Sequence, residues 1–293
     1  MTAYGEHTEV LFGDKNGKYP HGNSVLVRGA EETMLIDPSL LVAAKSAELP
    51  HVDRVVNSHC HEDHVAGNHA FMEIPWHLHE LDRPGITSLE AMEEIYGYAG
   101  PIMDAFRQVL VRDFHYTPRP DALAFRDGDV FDLGGGVKVR VLHAPGHTRG
   151  HCCLLSEPDG VLYLGDIDLS SFGPYYGDAW SDLEDFERTL GEVREVEARW
   201  YATFHHVGVV DRETFLERLG RYAAVIGDRE RRMLEYLREP HTLDEIAAHR
   251  FVYRPQDPVP FAEAVERRSM GQHVARLVRD GGLREVEPGR YVV

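Results

Sequence analysis

Short apolar runs broken by Gly, Asn and Asp open the chain, and residues 10–12, 24–28 and 33–37 read as strands. Residues 52–57 form another apolar run, which enters a histidine-rich segment directly. A helix start follows at 63–71 and a strand at 74–77. Residues 82–119 differ in character: 88–98 and 102–112 carry helical spacing and are rich in Met, Tyr and Phe. Strand signals return at 130–133, 137–142, 152–156 and 161–164, followed by an amphipathic helix over 181–199 and a strand over 200–204. This alternation predicts an α/β architecture with helices covering sheet faces. From Asp211 the pattern is helical. Residues 214–226 and 229–238 form one helix or two, and Thr242 with Glu245 is spaced as a capping box. A helix over 261–279 ends at Gly281-Gly282, and 283–286 and 290–293 flank the turn Glu287-Pro288-Gly289. Three helices and a hairpin match a winged-helix module. The predicted division is therefore 1–227 and 228–293, with 82–119 as an insertion placed to act as a lid.

Charge changes this picture. The 293 residues include 31 basic and 49 acidic ones, a net charge of −18. Residues 228–293 hold 12 Arg, no Lys and 12 acidic residues, so the body carries the whole excess. Affinity for nucleic acid depends on basic side chains neutralising phosphates, and an acidic body argues against it. No apolar run reaches the roughly 20 residues of a membrane span. Glu6, Glu9 and Asp14 stand where a signal peptide is basic. Cys60, Cys152 and Cys153 make no disulfide framework, and a reducing cytoplasm is the expected setting. The 18 histidines are the remaining anomaly, and they direct attention to metal.

The segment Ser58-His59-Cys60-His61-Glu62-Asp63-His64 places three imidazoles and a carboxylate just beyond a strand. Imidazole nitrogen and carboxylate oxygen suit zinc and related divalent ions. In extended chain His59 and His61 share a face, while Cys60 points away as a buried thiol. A turn into helix at Asp63 carries Asp63 and His64 toward a second ion. His147 in Ala144-Pro145-Gly146-His147-Thr148, Asp166 after Leu164-Gly165, and His205-His206 each follow a predicted strand, so all gather along one sheet edge. The bland alternative is a solvated histidine-rich loop; the ordered downstream His, Asp and His weigh against it.

On these motifs the chain resembles the metallo-β-lactamase superfamily over roughly residues 10–211, with Asp37 at the family's structural acidic position. The resemblance implies an αββα sandwich with a dinuclear centre at one edge. Carried over residue by residue, it assigns His59, His61 and His147 to one ion. Asp63, His64 and a last histidine go to the other, and Asp166 bridges them. The expected ions are two Zn2+, with Mn or Fe as alternatives. Aligning Val209-Val210 with the family's final apolar pair favours His206 as the last ligand over His205; strand alternation admits one of them. The tail resembles the module that follows the lactamase fold in a branch including a mitochondrial endoribonuclease.

The implied activity is hydrolysis, with Asp63 as the catalytic carboxylate that orients the nucleophile and receives a proton. The acidic body favours a small ester, thioester or lactone. An endoribonuclease or phosphodiesterase and a mononuclear-iron sulfur dioxygenase are the alternatives. The neutral tail reads as a packing or homodimerisation element. Tyr116, Tyr175 and Tyr176 are the pocket candidates, while Tyr96, Tyr98, Phe106, Phe114 and His115 read as core. His143 and His151 flank the third motif in orienting or packing roles, and His7, His21, His51, His69, His241, His249 and His273 read as surface or structural.

Overall fold

The computed structural model describes residues 1–293, whose strands form two sheets packed face to face. The first sheet follows chain order: β1 (Thr2–Ala3), β2 (Thr8–Leu11), β3 (Ser24–Arg28), β4 (Thr33–Ile36), β5 (Arg54–Val56), β6 (Trp76–His79) and β7 (Leu123–Phe125). It is antiparallel from β1 to β4 and parallel from β4 to β7. The second comprises β8 (Val130–Asp132), β9 (Lys138–His143), β10 (Cys152–Glu157), β11 (Val161–Tyr163), β12 (Trp200–Ala202) and β13 (Val209–Asp211), in the order β13-β12-β11-β10-β9-β8.

Period-two alternation sorts side chains between layers. Val25 and Val27 point inward against Val139, Val141, Cys152 and Leu154 of the facing sheet. Leu26, between them, points outward toward Val42 and Val52. On the other sheet Leu162 packs outward against Phe186 and Phe215, on the helices Leu183–Glu195 and Arg212–Tyr236. Helices outside two apposed sheets give the αββα order that the family resemblance implies. The insertion supplies helices Leu89–Tyr96 and Gly100–Arg112, which bury Met92, Ile95, Met103, Phe106 and Leu110 in a cluster with Trp76 and Leu78 of β6. The strands β1, β7 and β13 carry two or three residues each, too few for a periodic signal.

Helix Arg212–Tyr236 runs unbroken through Gly227, the position at which the pattern suggested a domain boundary. A helix-interior glycine costs under about 1 kcal/mol, which packing along the rest of the helix offsets. Beyond it lie helices Leu243–His249 and Ala262–Arg279, and strands β14 (His241–Thr242), β15 (Arg284–Glu287) and β16 (Arg290–Val292) in the order β14-β16-β15. Thr242 and Glu245 form the expected capping box. Met233, Leu237, Ile246, Phe251, Met270 and Val274 make a small core here. Val265 packs into the insertion's cluster, and the Tyr176 hydroxyl lies 3.0 Å from His273 Nε2. The tail is thereby seated against the sandwich.

Candidate metal centre

The four strands that precede the histidine and aspartate motifs end at one edge of the sandwich. β5 leads to His59, β9 to His147, β11 to Asp166 and β12 to His205. Gly146, at φ 122°, sets the turn before His147; a Cβ there would stand 2.3 Å from the backbone of Phe186. His59 Nε2 lies 3.1 Å from His61 Nδ1, which lies 2.9 Å from His147 Nε2, and Asp166 Oδ2 is 3.1 Å from His147 Nε2. These four residues form one group of convergent donors; Asp63, His64 and His205 form a second. Asp166 joins them: its Oδ1 stands 2.8 Å from His64 Nε2 and its Oδ2 faces the first group.

The outward nitrogen of most rings fixes what the inward nitrogen can do. His147 Nδ1–H donates to the Tyr175 carbonyl (3.0 Å), His205 Nδ1–H to the Gly17 carbonyl (2.8 Å), and His64 Nδ1–H to Asp37 Oδ2 (2.7 Å). With the outward nitrogen carrying its proton, each ring offers its inward nitrogen to a cation, which takes the place of any proton there. Lone pairs about 3 Å apart repel unless a proton or a cation lies between them. Two nitrogens bound to one Zn2+ at about 2.1 Å stand roughly 3.4 Å apart, close to the spacing observed. The donor set therefore fits a pair of divalent ions.

Asp37 is buried and orients several groups at once. At φ 44° it accepts the Ser58 N–H (2.7 Å) on Oδ1, and His64 Nδ1–H and the Tyr163 hydroxyl (2.8 Å) on Oδ2. His151 donates to the Ala144 carbonyl and accepts the backbone N–H of Asp166 at 3.1 Å, fixing the backbone from which the shared carboxylate projects. Burial holds the His151 pKa down to about 3, so it stays a neutral acceptor. Burial acts to raise the Asp166 pKa, but His64, His205 and His147 hold it well below the carboxylate range. Burial lowers His205, yet Asp166 and Asp63 push it up to about 9. Cys60 is fully buried, and its thiol is pushed well above its ordinary pKa, first by burial and then by Asp82.

One ligand position differs from the sequence expectation. His205, not His206, joins Asp63 and His64: His205 Nε2 lies 2.9 Å from Asp63 Oδ2. His206 adopts φ 60°, and its half-exposed ring faces Asp168 at 3.9 Å. Counting back from Val209-Val210 assumed extended chain, and this left-handed turn breaks that count. Two of the three tyrosine candidates also lie elsewhere. The Tyr116 hydroxyl donates to the Gly85 and Ser88 carbonyls, and that of Tyr176 meets His273 beneath the tail. Tyr175 does line the cavity above the donors, which measures about 340 Å3.

Several residues of that cavity carried no readable signal. Tyr19, Glu62 and Asp178 line it, as do Tyr253 and Phe261 from the tail. Asp178 Oδ2 stands 3.2 Å from His61 Nε2, out of line for a hydrogen bond and with no other partner, while Oδ1 accepts from the Tyr175 hydroxyl at 3.1 Å. Its carboxylate faces the outward nitrogen of His61, in the place that backbone carbonyls take beside His147 and His205. Tyr96 and Tyr98, read as core, do both: they are buried and they line the cavity. Glu62 accepts from Tyr19 (2.9 Å) and Tyr96, and burial with the neighbouring Asp63 raises its pKa to about 7.

Residues 19–219 match the family model described as metallo-beta-lactamase superfamily. The chain is 27% identical over 240 residues to a hydroxyacylglutathione hydrolase of Methylococcus capsulatus, covering 78% of this chain and 80% of that one. It is 28% identical over 203 residues to human acyl-coenzyme A thioesterase MBLAC2, covering 61% and 70%. It spans 59% of an uncharacterized Aquifex aeolicus protein, at 32% identity over 144 residues and 46% of this chain. A solved metallo-beta-lactamase family protein from Thermus thermophilus superposes with a TM-score of 0.73 at 25% identity, over 99% of both chains.

Proposed function

The chain belongs to the metallo-beta-lactamase superfamily, and on that footing we propose that it is a metal-dependent hydrolase of small thioesters, with esters and lactones as lesser substrates. One observation carries the reading. Two donor groups share Asp166 on the floor of a cavity whose lining includes no Lys or Arg. Such a cavity suits a neutral carbonyl compound and offers no side-chain cation to a polyanionic strand. The names of the two relatives, an acyl-coenzyme A thioesterase and a hydroxyacylglutathione hydrolase, support an acyl substrate.

His59, His61 and His147 would hold one divalent ion, Asp63, His64 and His205 the other, and Asp166 would serve both. Such ions supply Lewis acidity toward a carbonyl oxygen and make hydroxide available near neutral pH. The chain's own contribution is positional. Asp63, whose Oδ2 is set by His205, faces the cavity as a carboxylate that accepts a hydrogen bond from the attacking water and takes up its proton. Burial acts to raise the Asp63 pKa, and His64 and His205 outweigh it, so the group is ionised at neutral pH. Asp37 keeps the His64 ring from rotating away, and His151 fixes the backbone at Asp166. No helix is long and apolar enough to cross a membrane.

The test begins with elemental analysis of protein purified without added metal. A panel of chromogenic thioesters, esters, lactones and phosphodiesters follows. Thioester turnover is expected, with Asp63→Ala lowering it by about 1000-fold at an unchanged circular dichroism spectrum. Phosphodiester turnover exceeding every acyl substrate, or full activity in Asp63→Ala, overturns the proposal.

A further inference from the structure

Beside the donor atoms the cavity is a chamber walled by three separate stretches of chain. The insertion gives Tyr98 and Phe106, the loop after Asp166 gives Phe172 and Tyr175, and the tail gives Tyr253, Val259 and Phe261. The rings interlock. Phe261 stacks on Tyr98 with centroids 5.3 Å apart at 13°, and meets Phe106 at 6.1 Å and 66°. Phe172 and Tyr253 lie 5.6 Å apart. Arg268, on the tail helix, donates to the Gly97 carbonyl and so ties the tail to the insertion.

Four of the five tyrosine hydroxyls of the lining are engaged. Tyr19 and Tyr96 donate to Glu62, and Tyr98 and Tyr175 to Asp178. What remains toward the cavity is ring surface and the single Tyr253 hydroxyl. An anionic ligand fares poorly against it, because Glu62, Asp168 and Asp178 line the same walls and no Lys or Arg does. The lining reaches solvent at Tyr19, Phe172 and His206, which are the exposed members of the wall.

We propose that this chamber is the acyl pocket, and that it selects thioesters and esters whose acyl group is compact, uncharged and apolar, with a ring or branch to fill it. This rests on the hydrolase reading above. The carrier thiol, commonly large and anionic, stays outside the chamber, beyond its exposed rim. Volume limits the acyl group. A methylene takes about the space of a water molecule, roughly 30 Å3, so a cavity of about 340 Å3, part of which lies over the donors, limits the acyl group to at most about ten heavy atoms. Carbons beyond that project into solvent and add little binding, because only area removed from water contributes. The wall residues are far from one another in sequence, which makes the tail a determinant of specificity.

The deciding experiment uses the metal-loaded full chain and one neutral carrier, N-acetylcysteamine, acylated in turn with acetyl, butyryl, hexanoyl, phenylacetyl, decanoyl, palmitoyl and succinyl groups. The value of kcat/KM is expected to rise by at least about thirtyfold from acetyl to phenylacetyl. It should level off between decanoyl and palmitoyl and fall about tenfold from butyryl to succinyl. Phe261→Ala and Phe106→Ala should each shrink the phenylacetyl-to-acetyl ratio by about tenfold. Val259→Trp, which fills the chamber without removing a ring, should shrink it as well, and it decides the matter if the truncations do not fold. Turnover with a flat acyl profile, or folded variants whose ratio stays within about twofold of the parent, overturns the acyl pocket alone. Failure to turn over any acyl substrate overturns the hydrolase reading and the pocket with it.

Discussion

The floor and the roof of the cavity are made in different ways. On the floor several donors are held by a second, specific bond: His64 by Asp37, His147 by the Tyr175 carbonyl and His205 by the Gly17 carbonyl, while His151 holds the backbone N–H of Asp166. These contacts are directional and buried, and those to the rings set a tautomer. The roof is held by ring on ring, Tyr98 with Phe261 and Phe172 with Tyr253, across segments with no hydrogen-bonded register between them. A directional contact fails completely when its partner is removed, whereas an apolar one loses free energy in proportion to area. Changes to the floor should therefore abolish chemistry, and changes to the roof should retune it.

The sharpest break comes at the residue both donor groups share. Asp166→Ala is expected to lower turnover by at least about 1000-fold and to reduce bound metal, read by elemental analysis, by half or more. Retention of both ions with near-parental turnover contradicts the two-group description. Next in size is the pair of adjacent histidines. His205→Ala should cost at least about 100-fold in activity together with metal, while His206→Ala costs under about tenfold. An inverted order would return the last ligand to His206.

Asp178 tests whether the floor's bonds matter beyond the donors themselves. Asp178→Asn should weaken metal affinity by about ten- to 100-fold, measured by competition with a chromophoric chelator, because an outer partner sets the basicity and orientation of a ligating imidazole. Asp178→Glu should recover part of it. A purely structural role would lower the melting temperature and leave affinity alone.

The smallest effect belongs to the roof's anchorage. Glu230, between His273 and Arg276, has its pKa lowered from 4.5 to about 2, chiefly by the His273 bond and then by Arg276, against some burial. A carboxyl with a depressed folded pKa stabilises the fold above its unfolded value and loses that contribution as pH falls toward the folded one. The melting temperature should thus decline between about pH 4.5 and pH 2, and Glu230→Gln should flatten part of that decline. An identical acid profile in the variant would remove Glu230 from the tail's anchorage.

The floor was legible because its chemistry is concentrated. His59, His61, Asp63 and His64 fall within six residues, and the remaining donors each sit just past a strand. The choice between His205 and His206 was not legible, since it turns on one positive φ that residue identity does not announce. Asp178 gave only a faint hint, its place two residues beyond Tyr176 in the stretch after Asp166. The roof gave none. Tyr98, Tyr253 and Phe261 have the composition of ordinary core residues, and only their meeting across more than 150 positions makes them a wall. Tyr116 and Tyr176 looked equivalent to Tyr175, yet the folded chain aims their hydroxyls at Gly85, Ser88 and His273 instead.

Layer order and ligand chemistry were written locally in this chain, because pleat alternation and metal-binding groups act over a few residues. The size, charge and reach of the cavity arose from long-range packing of the insertion and the tail over the sheet edge. Apolar contacts carry no address, so which rings meet is settled by how the helices and loops that bear them fit together.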